Sequence, residues 1–308
     1  MNLSRTRRRL VPVLVAGVGA VALLAGCAAE APASEEGGAY EPIGTEFIAG
    51  TFDQAAADLL PADIAEAGVI VSSGGPGYAP HFLLAEDGET LVGNDIELLS
   101  AIGDVLGVEI DYEALGFDAI IPSLQSERID MANGAMSITE QRLEAVDFVS
   151  YFAGGTSIIV PAGNPLDLDL DSLCGRRLAV QQGTVYADDY VPEFQAGCEE
   201  AGEEPIEVSV FPTQPDATLA LSSGRADASM SDFGPLSYIA ETSNGALETV
   251  EALYDPSTWG FAFPQGSELE PAIQAAVNVL IADGTYAEIL AKWDVSAGAI
   301  EESEIVTS

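Results

Sequence analysis

Bases are what this sequence lacks. Ten Lys and Arg stand against fifty Asp and Glu in 308 residues. Four of the ten, Arg5, Arg7, Arg8 and Arg9, sit at the extreme N-terminus, which leaves Arg128, Arg142, Arg176, Arg177, Arg225 and Lys292 for the rest. So acidic a surface repels nucleic acid and anionic headgroups, and no nucleic-acid partner is expected. It also makes each remaining base informative, because a carboxylate ligand has few cations to choose from. Histidine occurs once, at His81. Beside Pro80 it reads as structural, and no nucleophile–base pair stands out. Carboxylates are too abundant for a carboxylate catalyst to be excluded. Long apolar runs are missing after residue 24, so the chain is not expected to span a membrane. No internal repeat is visible.

The one apolar run that exists, Leu10 to Leu24, follows the basic cluster and is short for a membrane span. It ends in Leu24-Ala25-Gly26-Cys27, which resembles a bacterial lipobox, in which Cys27 would be lipidated and become the mature N-terminus. Arg7-Arg8-Arg9-Leu10-Val11 weakly resembles a twin-arginine signal, so the export route stays open. Residues 28–50 are rich in Ala, Pro, Ser, Glu and Gly and read as a tether. The expected protein is lipid-anchored at the extracytoplasmic face of the membrane and does not cross it. All fifty acids lie beyond Cys27 with six bases, a mature net charge of −44. Outside the cytoplasm, the two remaining cysteines, Cys174 and Cys198, are expected to pair as a disulfide. With no His nearby they do not suggest a metal site.

From Thr51 to about Val295 the pattern is globular, long enough for one large or two ordinary domains. Ile96, Leu98, Leu99, Ile102, Val105 and Leu106 recur at helical spacing, and Gly107 ends that helix. Expected strands are Val69–Ser72, Val108–Tyr112, Ile129–Met136, Ser157–Val160, Leu178–Gln181, Glu207–Phe211, Asp227–Ser231 and Thr258–Phe263. Helices are expected over 52–67 with a break at Pro61, and over 94–106, 117–126, 184–197, 216–223, 235–242, 269–282 and 286–293, where order ends. Strands alternating with helices imply an α/β fold with a mostly parallel sheet. The loop Ser73 to His81, after a strand, places Tyr78 where ligands bind in such sheets.

One segment stands apart. Thr139 can cap a helix whose first turn is Glu140-Gln141-Arg142. A cation at the third helical position opposes the helix dipole, so Arg142 suits an anion held beside free N–H groups. The plainer alternative is a solvated arginine paired with Glu140 or Glu144.

Four motifs occur in order: Gly93-Asn-Asp-Ile-Glu-Leu98; Phe117 to Asp130 followed by Met136-Ser-Ile-Thr139 and Arg142; Gly224-Arg-Ala-Asp-Ala-Ser-Met-Ser-Asp232 after a Gln-Gly-Thr turn; and Ala282 to Trp293. Together they resemble the extracellular solute-binding proteins of family 3, the polar amino-acid receptors of ABC importers. Asn94 and Glu140 depart from the usual pattern, which has an aromatic or aliphatic residue and often a Pro at these places.

The resemblance implies a two-lobed, type II periplasmic-binding-protein-like fold with two hinge strands, near Phe152–Val160 and Trp259–Phe263. Residues 1–26 would be the signal peptide, 27–50 the tether, 51–154 with 258–308 the first lobe, and 155–257 the second. It implies that Arg142 clamps an α-carboxylate with Ser137 beside it, and that Asp232 takes the α-ammonium. Tyr78 and Phe117 would wall the side chain. Thr184 would donate from the second lobe, although Val185-Tyr186 do not fit the register cleanly. Gly75 stands where basic-amino-acid receptors often carry an acid, which points to a non-basic amino acid. No cofactor is implied, the partner is an ABC permease, and the protein is expected to be a monomer. A dehydratase acting on prephenate or arogenate is the alternative on the same fold.

Overall fold

The computed structural model describes residues 46–75, 77–85, 87–250 and 253–308. Cys27, the leader before it and the tether as far as residue 45 lie outside the described residues. In chain order the strands are β1 (Val69–Gly74), β2 (Leu83–Leu84), β3 (Leu91–Val92), β4 (Glu109–Ala114), β5 (Met131–Ala132), β6 (Val146–Pro161), β7 (Arg177–Gln181), β8 (Glu207–Phe211), β9 (Ala228–Asp232), β10 (Leu247–Thr249), β11 (Tyr254–Pro264) and β12 (Ile305–Val306). The α-helices are α1 (Gln54–Ala57), α2 (Ala62–Ala67), α3 (Asn94–Leu106), α4 (Ile120–Gln125), α5 (Glu140–Leu143), α6 (Val191–Ala201), α7 (Gln214–Ser222), α8 (Phe233–Thr242), α9 (Glu270–Asp283) and α10 (Thr285–Lys292).

Among the described residues ten strands make one sheet in the order β4-β1-β5-β11-β6-β9-β7-β8, with β10 and β12 also on β6. The sheet is mixed, where the sequence suggested mostly parallel. Its two ends are parallel: β1 lies between β4 and β5, and β7 between β8 and β9. Helical crossovers join those strands, and such connections return parallel. The middle is antiparallel, because β6 carries the chain from one end to the other and β11 brings it back. The expected strands at 157–160 and 258–263 are parts of these two longer ones. Gly154 lets them lie close: a Cβ there would stand 2.5 Å from the Trp259 ring.

The apolar core divides at this crossing. Leu98, Ile102 and Val105 of α3 pack with Ile273, Val277 and Leu280 of α9 and with Ile289 of α10 on one side. Ile158, Val160, Leu178, Val180 and Met230 form a separate core on the other. The molecule therefore has two lobes, with both chain ends of the described region in the first.

Several boundaries differ from the sequence reading. The strand expected over 129–136 is only β5, because Gly134 and Ala135 take φ of +149° and +51° and turn the backbone away. Phe117 to Ala119 forms a 3-10 turn before α4. A wide π turn over Tyr186–Tyr190 precedes α6, which runs on to Ala201 and stops at Gly202 in the left-handed conformation. Cys198 on α6 is bonded to Cys174. Order does not end at Trp293. The following residues fold back, β12 pairs with β6, and the Ser303 hydroxyl donates to the Ser150 carbonyl at 2.6 Å. No helix of the described residues is long and apolar enough to cross a membrane.

Candidate functional site

A cleft opens where the two lobes face each other. Gly75, Gly77, Tyr78, Phe117, Gly134, Ala135, Ser137 and Arg142 line it from the first lobe, and Gln181, Thr184, Val185, Tyr186 and Gln214 from the second. The space not filled by atoms is about 480 Å³, open mouth included. Five of the six ligand-binding residues expected from sequence border it. The sixth, Asp232, stands behind Tyr78.

Arg142 is placed by α5. Thr139 is the N-cap, its hydroxyl accepting from the Arg142 N–H at 3.2 Å. The guanidinium then folds back into the cleft. Nη1 donates to the Ser137 carbonyl at 2.8 Å, and Nη2 reaches the Gly183 carbonyl of the second lobe at 3.4 Å. Its carbon lies 5.6 Å from the centre of the Phe117 ring, within range of a cation–π attraction. Neither Glu140 nor Glu144 is in ion-pair contact with it; the ion pairs among the described residues are His81–Asp95, Arg128–Glu113, Arg177–Asp227 and Lys292–Glu97. Burial lowers the guanidinium's proton affinity, opposed by Tyr186, Asp189, Asp232 and Asp188. It stays charged, and its hydrogen bonds to neutral carbonyls leave that charge unpaired.

Asp232 closes β9 and is the N-cap residue of α8, yet its side chain makes no capping bond. Instead Tyr78, from the first lobe, donates its hydroxyl to Asp232 Oδ2 at 2.5 Å. The same hydroxyl is 3.1 Å from Ser231 Oγ and 3.3 Å from the Tyr186 hydroxyl. Asp232 is 2% exposed. Burial raises its pKa to about 6, against the lowering effect of the Tyr78 and Tyr186 hydrogen bonds. Tyr78 and Tyr186 are both held well above the usual phenol range, by burial first and then by the neighbouring Asp232 charge. His81 and Arg142 also favour its charge from a distance, but none of the ion pairs among the described residues includes it, and a carboxylate this buried is costly. An ammonium group would relieve it.

Ser137 presents its backbone carbonyl to Arg142, and its hydroxyl accepts from Ser257 at 3.3 Å. Thr184 borders the cleft, but its hydroxyl is engaged locally, donating to the Gln181 carbonyl at 2.7 Å. Gln182 donates across the lobes to Asp118 at 2.9 Å. Sequence reasoning missed Tyr186, Gln181 and Gln214 as lining residues. Tyr186 did leave a signal: it lies where the motif register fails, at the start of the π turn. His81, expected to be structural, is fully buried with Nδ1 3.3 Å from Asp95 Oδ1.

Arg142 thus lines the cleft from the first lobe, and on the second lobe the buried Asp232 carboxylate lies behind Tyr78. A family model for the bacterial extracellular solute-binding proteins, family 3, matches residues 70–296. The arginine-binding protein ArgT of Corynebacterium glutamicum is 33% identical over 247 residues, 80% of this chain and 81% of that protein. Among solved structures, an ancestral arginine-binding protein bound to arginine is similar at a TM-score of 0.67 and 34% identity, covering 73% of this chain and 98% of that one. An ancestral arginine-binding protein bound to glutamine gives a TM-score of 0.67 at 33% identity, over 74% of this chain and 98% of that one.

Proposed function

This chain belongs to the bacterial extracellular solute-binding proteins of family 3, and from that premise we propose that it captures a free amino acid between its lobes and hands it to an ABC permease. The observation that carries this is the Arg142 guanidinium lining the cleft with only neutral carbonyls as hydrogen-bond partners, while the Asp232 carboxylate of the other lobe is held just behind Tyr78. The α-carboxylate would replace the carbonyl contacts of Arg142 with a bidentate ion pair. The α-ammonium would reach Asp232, displacing the Tyr78 hydroxyl from its 2.5 Å bond. Ser137 and the backbone around Thr184 add donors for the carboxylate, and Tyr78 and Phe117 flank the side chain.

The first lobe comprises 51–154 and 258–308, the second 155–257, and β6 and β11 act as hinges between them. Because the two charges sit on different lobes, closure depends on a ligand that bears both. The protein works as a monomeric binding protein and not as a catalyst. Cys27 carries the lipid anchor, which holds the receptor at the outer face of the membrane beside its permease. Mass spectrometry of the mature chain should find lipid on Cys27; a chain beginning at any other residue contradicts the anchor.

The ligand's side chain is non-basic in this reading. No Asp or Glu is among the described residues lining the cleft, whose uncharged members include Gly75, Gly77, Phe117, Gln181 and Gln214. One solved neighbour holds glutamine, which has the uncharged polar character this lining favours. A second reading, arginine, rests on the ligand named for ArgT and for the ancestral structure. A thermal-shift screen against the amino acids decides between them, since a ligand raises the melting temperature by mass action. Stabilisation by a neutral polar amino acid supports the first reading. Stabilisation by arginine alone supports the second, and no response to any amino acid overturns both.

A further inference from the structure

Gln214 is a buried polar side chain with half of its amide unused. It is 2% exposed. Its Nε2 donates to Ser229 Oγ at 3.2 Å, and its Oε1 has no hydrogen-bond partner. An amide oxygen left unpaired in the interior is costly, so the position calls for a donor. The fold holds the residue firmly. It is the first residue of α7, whose N-cap Thr213 accepts from the Asp216 N–H. The next residue, Pro215, packs against Gly77 closely enough that a Cβ on Gly77 would lie 3.0 Å from its ring.

Gln214 lines the same cleft as Arg142, from the other lobe. Arg142 borders both the cleft and an opening lined by Ile121, Thr139, Asp188 and Asp189. Gln214 borders both the cleft and a different groove, lined by Pro215, Leu219, Pro235 and Ile239. The two flanking spaces share no lining residue. A ligand anchored at Arg142 by its carboxylate, and long enough to cross the cleft, would bring the end of its side chain to Gln214.

We propose that Gln214 is the specificity-determining residue of this site, its Oε1 accepting a hydrogen bond from an N–H at the far end of the ligand's side chain. The inference rests on the amino-acid reading above and adds to it a ligand class: an amino acid ending in a carboxamide or a guanidino group. Gly75 and Gly77 leave the path open, and Phe117 gives the intervening methylenes an apolar wall. Methionine, of similar length but without an N–H, would leave Oε1 unpaired. Sites built around a buried hydrogen-bonding group reject analogues that lack the matching group far more strongly than apolar pockets reject size differences.

The test is calorimetric titration of the wild-type protein, Gln214→Met and Gln214→Glu with L-glutamine, L-arginine and L-methionine. The expected wild type binds glutamine or arginine at least tenfold more tightly than methionine. Gln214→Met should cut that ratio at least tenfold. Gln214→Glu, which keeps an acceptor and adds charge, should retain discrimination against methionine and move the preference towards arginine. Each ratio is internal to one variant, so partial loss of folded protein does not disturb it. An unchanged ratio in Gln214→Met, or a wild type that binds methionine as tightly as the other two, overturns the assignment of Gln214. A wild type that binds none of the amino acids overturns the parent reading instead.

Discussion

At the scale of single residues, the two charged groups were legible for opposite reasons. Arg142 stood out because the chain has so few cations and this one sits where a helix disfavours it. Asp232, one of fifty acids, was found only through the surrounding motif. Gln214 was not legible and Tyr186 showed only as a failed register, since a helix start and a π turn bring them to the cleft from far along the chain. The pKa of Asp232 supplies a test. Without ligand it protonates near 6 because burial disfavours its charge. The free protein therefore takes up a proton as the pH falls through that value, and an ammonium ligand must expel it. Amino-acid affinity should be flat above pH 7 and should fall by up to tenfold per pH unit below about 6. Asp232→Asn should lose about 100-fold in affinity, and what binding remains should show no such fall; calorimetry from pH 5 to 8 reads both. A wild-type affinity that does not change between pH 5 and 7 contradicts the role given to Asp232.

At the scale of elements, α3, α10 and the parallel strands were readable from periodicity, but what joins them was not. Glu97 of α3 is fully buried and accepts from Lys292 Nζ, Trp293 Nε1 and the Ile48 N–H, each at 2.7 Å. This ties the segment at Ile48, near the start of the described residues, to the end of α10 and gives the Lys292-Trp293 pair of the closing motif a structural purpose. Removing one partner of such a cluster leaves the others unpaired in the interior. Glu97→Ala should destabilise the fold by about 3 kcal/mol, read by denaturant unfolding; a loss under about 1 kcal/mol would mean the cluster is dispensable. The length of β6 was hidden for a different reason. Gly154 and Gly155 interrupt its apolar run in the sequence, and only the approach of Trp259 shows why glycine stands there. The short strands β10 and β12 have too few residues for any period to register, and they exist because β6 offers them an edge.

At the scale of the whole molecule, the two lobes followed from a change in strand pattern near residue 160 together with the family resemblance, and the separate apolar cores agree with both. The antiparallel middle of the sheet did not follow, because local pattern does not report which strands cross between lobes. The excess of acid fixes neither fold nor site. It bears on the site by contrast, since Arg142 is a lone cation at a cleft whose second-lobe rim carries Asp188 and Asp189. The proposed function stands or falls on this one guanidinium anchoring the ligand on which the lobes close. Titration calorimetry of Arg142→Ala, with the amino acid that most stabilises the wild type, tests it directly. The predicted result is a fall in affinity of at least 100-fold, the loss of a charge-assisted pair in a closed site, with the melting temperature of the unliganded protein changed by no more than about 2 °C, as expected where no buried ion pair is broken. Wild-type affinity in the variant would contradict the claim.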